Sequence, residues 1–79
     1  MQFEEIQVEC YSGYKANERP TAFHYRDRRW EIAEVEDRWY EGGVTPGSPD
    51  IDYFKVRTTE GEVFILRYLS QLDAWSIQV

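Results

Sequence analysis

The sequence predicts an all-β protein, because apolar residues recur at every second position and turn residues separate the apolar runs. Alternation of this kind is typical of strands that bury one face. Helical periodicity is nearly absent, and aromatic residues, which favour strands, make up 16% of the chain. A chain of 79 residues has enough apolar surface for one core only. We therefore expect one domain over residues 1–79.

Three strands are predicted in the first half of the chain. Pro20 stands just before the second strand, where a missing N–H harms a β-ladder least. A polar turn over residues 26–29 then leads into the third strand, although it lacks the glycine that marks most tight hairpins. The residues expected to face inward are Ile6, Val8 and Cys10 in the first strand, Phe23 and Tyr25 in the second, and Trp30 and Ile32 in the third.

The third strand changes phase along its length. Trp30 and Ile32 fall on one face, whereas Val35 and Trp39 fall on the other. A β-bulge near residues 33–34 would bring all four to the same face and would bend the strand as a small barrel requires. We predict this bulge, with Trp39 as a core residue.

Two further expectations concern the same segment. A helix over residues 31–38 is the alternative to a bulged strand, since Ile32, Val35 and Trp39 also fit helical spacing. The bulge also places Asp37 on the inward face, where we expect it to form an ion pair with Arg19 or Arg57. Both expectations depend on where the chain places Trp39.

The second half of the chain predicts a long loop and three more strands. Residues 41–51 contain three glycines and two prolines and form the loop, which we expect to be the most mobile segment. Strands over residues 53–59 and 62–69 flank a turn that contains Gly61. Trp75, Ile77 and Val79 then alternate in a last strand. About six short strands in a chain this small predict an antiparallel meander that closes into an SH3-like barrel, since closure covers the sheet edges.

Charge and cysteine content limit the class of protein. A net charge of −6 disfavours tight sequence-independent binding to a phosphate backbone. Residues 15–29 nevertheless carry five basic side chains against two acidic ones. Cys10 is the sole cysteine, so the chain forms no internal disulfide. With no signal peptide and no long apolar run in the sequence, we expect a cytoplasmic protein without a membrane partner.

Catalytic and metal-binding patterns are missing from the sequence. His24 is the sole histidine, and no nucleophile elbow or glycine-rich phosphate loop occurs. The acidic residues 34, 36, 37 and 41 are better explained as a solvated strand face than as general acids or bases. We therefore predict no enzyme activity, no catalytic residue, no cofactor and no metal.

Recognition is the remaining class of function. The candidate binding residues are His24, Tyr25, Arg26, Arg28, Arg29 and Tyr40. An unidentified protein is the expected partner, because small barrels present aromatic clusters to extended ligands. Single-stranded nucleic acid is the alternative, since cations mixed with ring faces can follow a backbone and stack bases around residues 24–29.

A family resemblance covers residues 6–79. Arg19-Pro20-x-x-Phe23, Arg29-Trp30-x-Ile32-x-x-Val35-x-Asp37-Arg38-Trp39 and Trp75-x-Ile77 resemble a small bacterial β-domain family of undetermined function. This family also forms the C-terminal segment of the inactive Y-family polymerase-like subunit of a mutagenic DNA-repair complex. The resemblance implies an SH3-like barrel linked to bacterial DNA-damage tolerance, and no known reaction. Larger members carry a tryptophan-rich stretch where this chain has residues 42–47. We expect structural roles for Arg19, Pro20, Trp30, Asp37, Trp39 and Trp75.

Overall fold

A computed structural model of the chain describes residues 2–11, 19–42 and 50–79, and its regular secondary structure there is all β-strand. The strands are β1 Phe3–Cys10, β2 Pro20–Tyr25, β3 Arg28–Glu41, β4 Ile51–Thr58, β5 Val63–Leu69 and β6 Ala74–Gln78. Each strand pairs antiparallel with the next, and β6 pairs with β1 to close a barrel. The predicted six-stranded meander and its closure are confirmed.

The core fills the inside of this barrel with aromatic and branched side chains. Trp75 on β6 is 6% exposed and lies 5.3 Å from Phe54 and 5.0 Å from Tyr68 between ring centroids. Phe23 packs edge-on against Phe64 at 5.4 Å. The buried cluster comprises Phe23, Phe54, Val56, Leu66, Trp75 and Ile77. Val79, which alternates with Trp75 and Ile77 in the sequence, lies just after the end of β6 at Gln78 and is 54% exposed.

The predicted bulge in β3 is confirmed. Ile32 pairs with Thr58 and Glu34 pairs with Arg57, so Ala33 is the extra residue. Val35 therefore shares the inward face with Ile32 and opposes Val56. The alternative helix over residues 31–38 is wrong, since this segment lies within one continuous strand.

A second bulge, which the sequence did not predict, reverses the phase of β3 again. The register also shifts between Val35 and Asp37, so that Arg38 opposes the core residue Phe54. Trp39 consequently faces outward and is 41% exposed, which corrects the expectation that it is a core residue. Asp37 is exposed as well, and the expected ion pair with Arg57 is wrong because Arg57 binds Glu34 and Glu36.

The β2–β3 turn is shorter than the predicted turn over residues 26–29. Arg26 and Asp27 have φ values of 54° and 59°, so these two residues alone connect the strands. Two consecutive positive φ values are the geometry of a two-residue hairpin, which usually contains glycine. Both turn positions are occupied by residues other than glycine, although both have left-handed backbone conformations. The sequence therefore lacks the glycine that usually marks this type of turn.

Several sequence expectations lie partly outside the described residues. Residues 43–49 of the predicted long loop lie outside the described residues, as does Lys15 of the basic segment. The described residues therefore allow the predicted strands, and the predicted hairpin turns at residues 26–27 and 59–62, to be compared with the structure.

Candidate interaction surfaces

Opposite charges surround most of the predicted basic hairpin. Arg29 donates from Nε and from one terminal nitrogen to the two carboxylate oxygens of Glu9, at 2.7 and 3.1 Å. Its other terminal nitrogen donates to Glu31 at 2.9 Å. His24 Nε2 lies 3.1 Å from the same Glu9 carboxylate. Strand pairing creates this ion network, because His24 opposes both Gln7 and Arg29 across neighbouring strands.

The network lies over an apolar position of β2. Ala22 opposes Glu9 on β1 and Glu31 on β3, and its side chain is fully buried although it lies on the outer face. Hydrogen bonds from Arg29 hold the pKa of Glu9 below its usual 4.5. The two carboxylates in turn raise the pKa of Arg29. Both charged forms are therefore favoured at neutral pH.

The other cations of the hairpin divide between an ion pair and ring contacts. Arg28 pairs with Glu60 and also stacks on Trp30, with its guanidinium carbon 3.9 Å from the ring centroid. Arg26 lies 5.1 Å from the Tyr25 ring centroid and forms no ion pair within the described residues. A cleft of about 670 Å³ runs beside these side chains. Of the three hairpin arginines, Arg26 alone keeps a charge that no described carboxylate offsets.

Replacing Glu9 with glutamine is expected to remove part of the acid sensitivity of the fold. The pKa of Glu9 is depressed in the folded state, so its contribution is present above about 4.5 and is lost as pH falls through the folded pKa. The wild type should melt higher than Glu9→Gln at pH 7, and the two melting curves should converge at acid pH. Glu4→Gln, which changes an exposed acid on the same strand, is the control. A melting-temperature difference between wild type and Glu9→Gln that stays constant with pH would contradict this role.

Tyr40 does not join the other predicted binding residues. It lies near the end of β3, whereas Arg28 begins that strand, so the two residues are at opposite ends of a 14-residue element. Tyr40 is 61% exposed, and its hydrogen bond to Asp50 raises the pKa of the phenol. A Cβ on Gly42 would lie 2.6 Å from the ring, so glycine is what lets the ring approach the backbone there.

The remaining predicted structural residues differ in burial. Trp30 is half-buried, packs against the core and donates its indole N–H to the Tyr25 carbonyl oxygen at 3.3 Å. Pro20 is fully buried, while Arg19 is exposed and its carbonyl oxygen accepts the Tyr11 amide at 2.8 Å. Trp75 is buried in the core, as described above.

A second surface, on the outside of the barrel and formed by residues of β1, β3, β4 and β5, is aromatic. Trp39 and Tyr53 oppose each other across β3 and β4, and their rings stack at 5.3 Å with an interplanar angle of 6°. Phe3 meets Tyr53 edge-on at 6.4 Å, and the guanidinium carbon of Arg67 lies 3.8 Å from the Phe3 ring centroid. We call these four residues the outer aromatic face. The buried Nε of Arg67 has no hydrogen-bond partner within the described residues.

The sequence contains only part of the signal for this face. Tyr53 alternates with the core residue Phe54, and this indicated an outward ring. Trp39 was assigned to the core because one bulge was expected and two occur. Counting bulges requires the β4 register, which the β3 sequence does not contain.

Residues 2–11, 19–42 and 50–79 contain no group of three or more His, Cys, Asp or Glu side chains that could hold a metal ion. In those residues, no helix has the length and apolarity needed to cross a bilayer. Cys10 packs against the core, and burial is the main cause that raises the pKa of its thiol.

Comparison with known proteins identifies one family. No curated protein matches the chain significantly. No solved structure does so either. Residues 2–77, nearly the full length, match the model of DUF6504, which is described as a domain of unknown function. The chain is therefore a member of the DUF6504 family.

Proposed function

We propose that this chain is a non-enzymatic interaction module that binds a protein partner through the outer aromatic face. The observation that carries the proposal is the stacked Trp39–Tyr53 pair on the outside of the barrel. An outer strand face usually carries polar side chains, so a stacked ring pair there is informative. Tryptophan, tyrosine and arginine are also the side chains that most often dominate the energy of protein interfaces.

The charges around this face favour a basic partner. Asp37 and Glu41 stand two positions before and after Trp39 on the same strand, and Lys55 on β4 opposes Asp37. A chain with a net charge of −6 attracts basic segments and repels acidic ones. The resemblance to the terminal segment of inactive polymerase-like subunits supports a cytoplasmic partner in bacterial DNA-damage tolerance.

Single-stranded nucleic acid is the weaker proposal. Its support is the cleft beside Tyr25 and Arg26, where a ring lies close to a guanidinium that forms no ion pair within the described residues. Carboxylates offset the charges of Arg28 and Arg29, however, and counterion release depends on cations that are free to meet phosphates. Binding of a protein through the outer aromatic face does not require an excess of free positive charge.

Partner capture with Trp39→Ala tests the proposed function. The tagged chain is used to capture proteins from the cells in which it occurs, followed by mass spectrometry. Any protein held by wild type should bind Trp39→Ala about thirtyfold more weakly, as expected for a hot spot of about 2 kcal/mol. Leu72→Ala, which truncates a side chain that is 72% exposed, should capture the same protein as wild type. Equal capture by all three baits would exclude the outer aromatic face as the binding surface.

A further inference from the structure

Over most of the length of β3, one of its edges has no described strand beside it. Residues 28–31 of β3 pair with β2, and residues 32–41 pair with β4. No other described strand pairs with residues 32–41, so one side of their backbone has no ladder partner within residues 2–11, 19–42 and 50–79. An unpaired edge offers N–H and C=O groups to another extended chain.

The backbone of this edge shows which groups are directed away from β4. The Arg38 amide donates to the side chain of Asp37 at 2.8 Å instead of to β4. Opposed residues in an antiparallel ladder alternate between pairs that exchange hydrogen bonds and pairs that do not. Tyr40, two positions further along the regular register, therefore also directs its amide to the unpaired edge.

A cleft adjoins the same edge. It measures about 490 Å³ and is lined by Tyr11, Arg19, Val35, Arg38 and Phe54. Phe54 forms part of its lining from inside the core, and the guanidinium carbon of Arg38 lies 4.8 Å from the Phe54 ring centroid. Arg19 in this lining directly precedes β2, which begins at Pro20, a residue with no N–H to offer a neighbouring strand. An extended chain on the β3 edge would pass over this cleft.

We infer that the unpaired edge of β3 binds an extended segment of a partner protein as an added strand. Backbone hydrogen bonds to residues such as Tyr40 hold the segment, and alternate side chains provide specificity. One side chain of the segment is apolar and enters the cleft against Val35 and Phe54. The next is basic and lies on the outer side, beside Asp37 and Glu41. The inference rests on one part of the proposed function, the binding of a protein partner, and states how that partner is held.

A second copy of this chain is a poorer occupant than a basic segment. Residues 32–41 of β3 carry four acidic side chains, and Arg57 on β4 binds two of them, Glu34 and Glu36. Asp37 and Glu41 form no ion pair within the described residues. Antiparallel pairing of two such edges would bring these carboxylates close together, and like charges directly opposite each other destabilise strand pairs. A segment in which lysine or arginine alternates with apolar residues avoids this repulsion.

Hydrogen exchange of the isolated protein tests whether the edge is open. The amide of Tyr40 should exchange on the order of a hundredfold faster than those of Trp39 and Glu41, which are directed to β4. All three amides lie within one strand of the same protein, so global unfolding exposes them equally. A difference between their exchange rates therefore reports on local hydrogen bonding. Slow exchange at Tyr40 in the isolated protein would mean that the edge is already covered, and it would overturn the inference.

A peptide in which lysine alternates with valine tests the occupant. Adding it should slow exchange at Tyr40, and N-methylating its alternate amides should abolish the effect because such a strand cannot pair. Tyr40→Pro should fold but not bind, since proline removes an amide that β4 does not use. Failure of the peptide to bind, or equal binding of its N-methylated form, would overturn the inference.

The two proposals fail in different experiments. Capture of a partner that is lost in Trp39→Ala but kept in Tyr40→Pro would support the outer aromatic face and overturn the strand-pairing inference. Loss of capture in Tyr40→Pro, with normal capture by Trp39→Ala, would overturn the proposed function through that face and support strand pairing.

Discussion

Trp75→Ala is expected to remove a large part of the total stability of the chain. Trp75 is 6% exposed and touches rings on β4 and β5, so truncation leaves a cavity that its neighbours cannot fill. Such a change costs about 3–5 kcal/mol. At about 0.05–0.15 kcal/mol per residue, 79 residues give a total stability of roughly 4–12 kcal/mol. Thermal unfolding followed by circular dichroism should show a melting temperature lower by more than about 10 °C.

Trp39→Ala is the matched control, because it removes the same side chain from the outer surface. Its loss should be smaller, because the ring is 41% exposed: it comprises the stacking with Tyr53, about 0.5–1.5 kcal/mol, and a partial loss of buried apolar area. The two tryptophan variants should therefore differ clearly in melting temperature. Similar melting temperatures would contradict the assignment of Trp75 to the core and Trp39 to the outer face.

Thr58→Val is expected to destabilise the chain by about 1–3 kcal/mol, the second largest effect that we predict. The Thr58 hydroxyl is buried at the end of β4 and accepts the amides of Glu60 at 3.3 Å and Glu62 at 3.2 Å. These bonds organise the turn that joins β4 to β5, where Gly61 has a φ of 89°. Valine has a similar volume but no acceptor, so both amides lose their partner. Urea unfolding monitored by fluorescence measures the difference.

Thr59→Val provides the control for this turn. Thr59 is exposed, and its amide donates to the Glu31 carbonyl oxygen at 3.0 Å, a bond that valine can also make. Its free energy of unfolding should stay within about 0.5 kcal/mol of wild type. Wild-type stability in Thr58→Val would show that the hydroxyl contacts contribute little to the turn.

Much of the fold follows from the sequence because side-chain alternation is a local property. Phe54 and Val56, like Trp75 and Ile77, are buried on the faces that period-two spacing indicated. The first bulge was predictable for the same reason, since a phase change over a few residues is visible in the sequence. The sequence did not predict that the turn consists of Arg26 and Asp27 alone, because neither residue type is specific for a left-handed backbone conformation.

The candidate surfaces were less predictable, because they depend on residues far apart in the chain. The arginines of the hairpin were found from composition alone, but the acids that offset them were not. Arg29 is 20 residues from Glu9, and the pairing of β1, β2 and β3 brings the two together. A cluster of cations in a sequence is therefore an incomplete guide to the charge of the folded surface.

The sequence by itself determined the strands, their order as hairpins and most of the core, since alternation specifies which face of each strand is buried. The tertiary structure alone decided that Trp39 is exposed, because that outcome depends on a second bulge set by the register with β4. It also decided that β3 extends beyond its pairing with β2 and leaves one edge without a described partner. Relative strand length and register are properties of pairs of strands, and a single strand's sequence does not contain them.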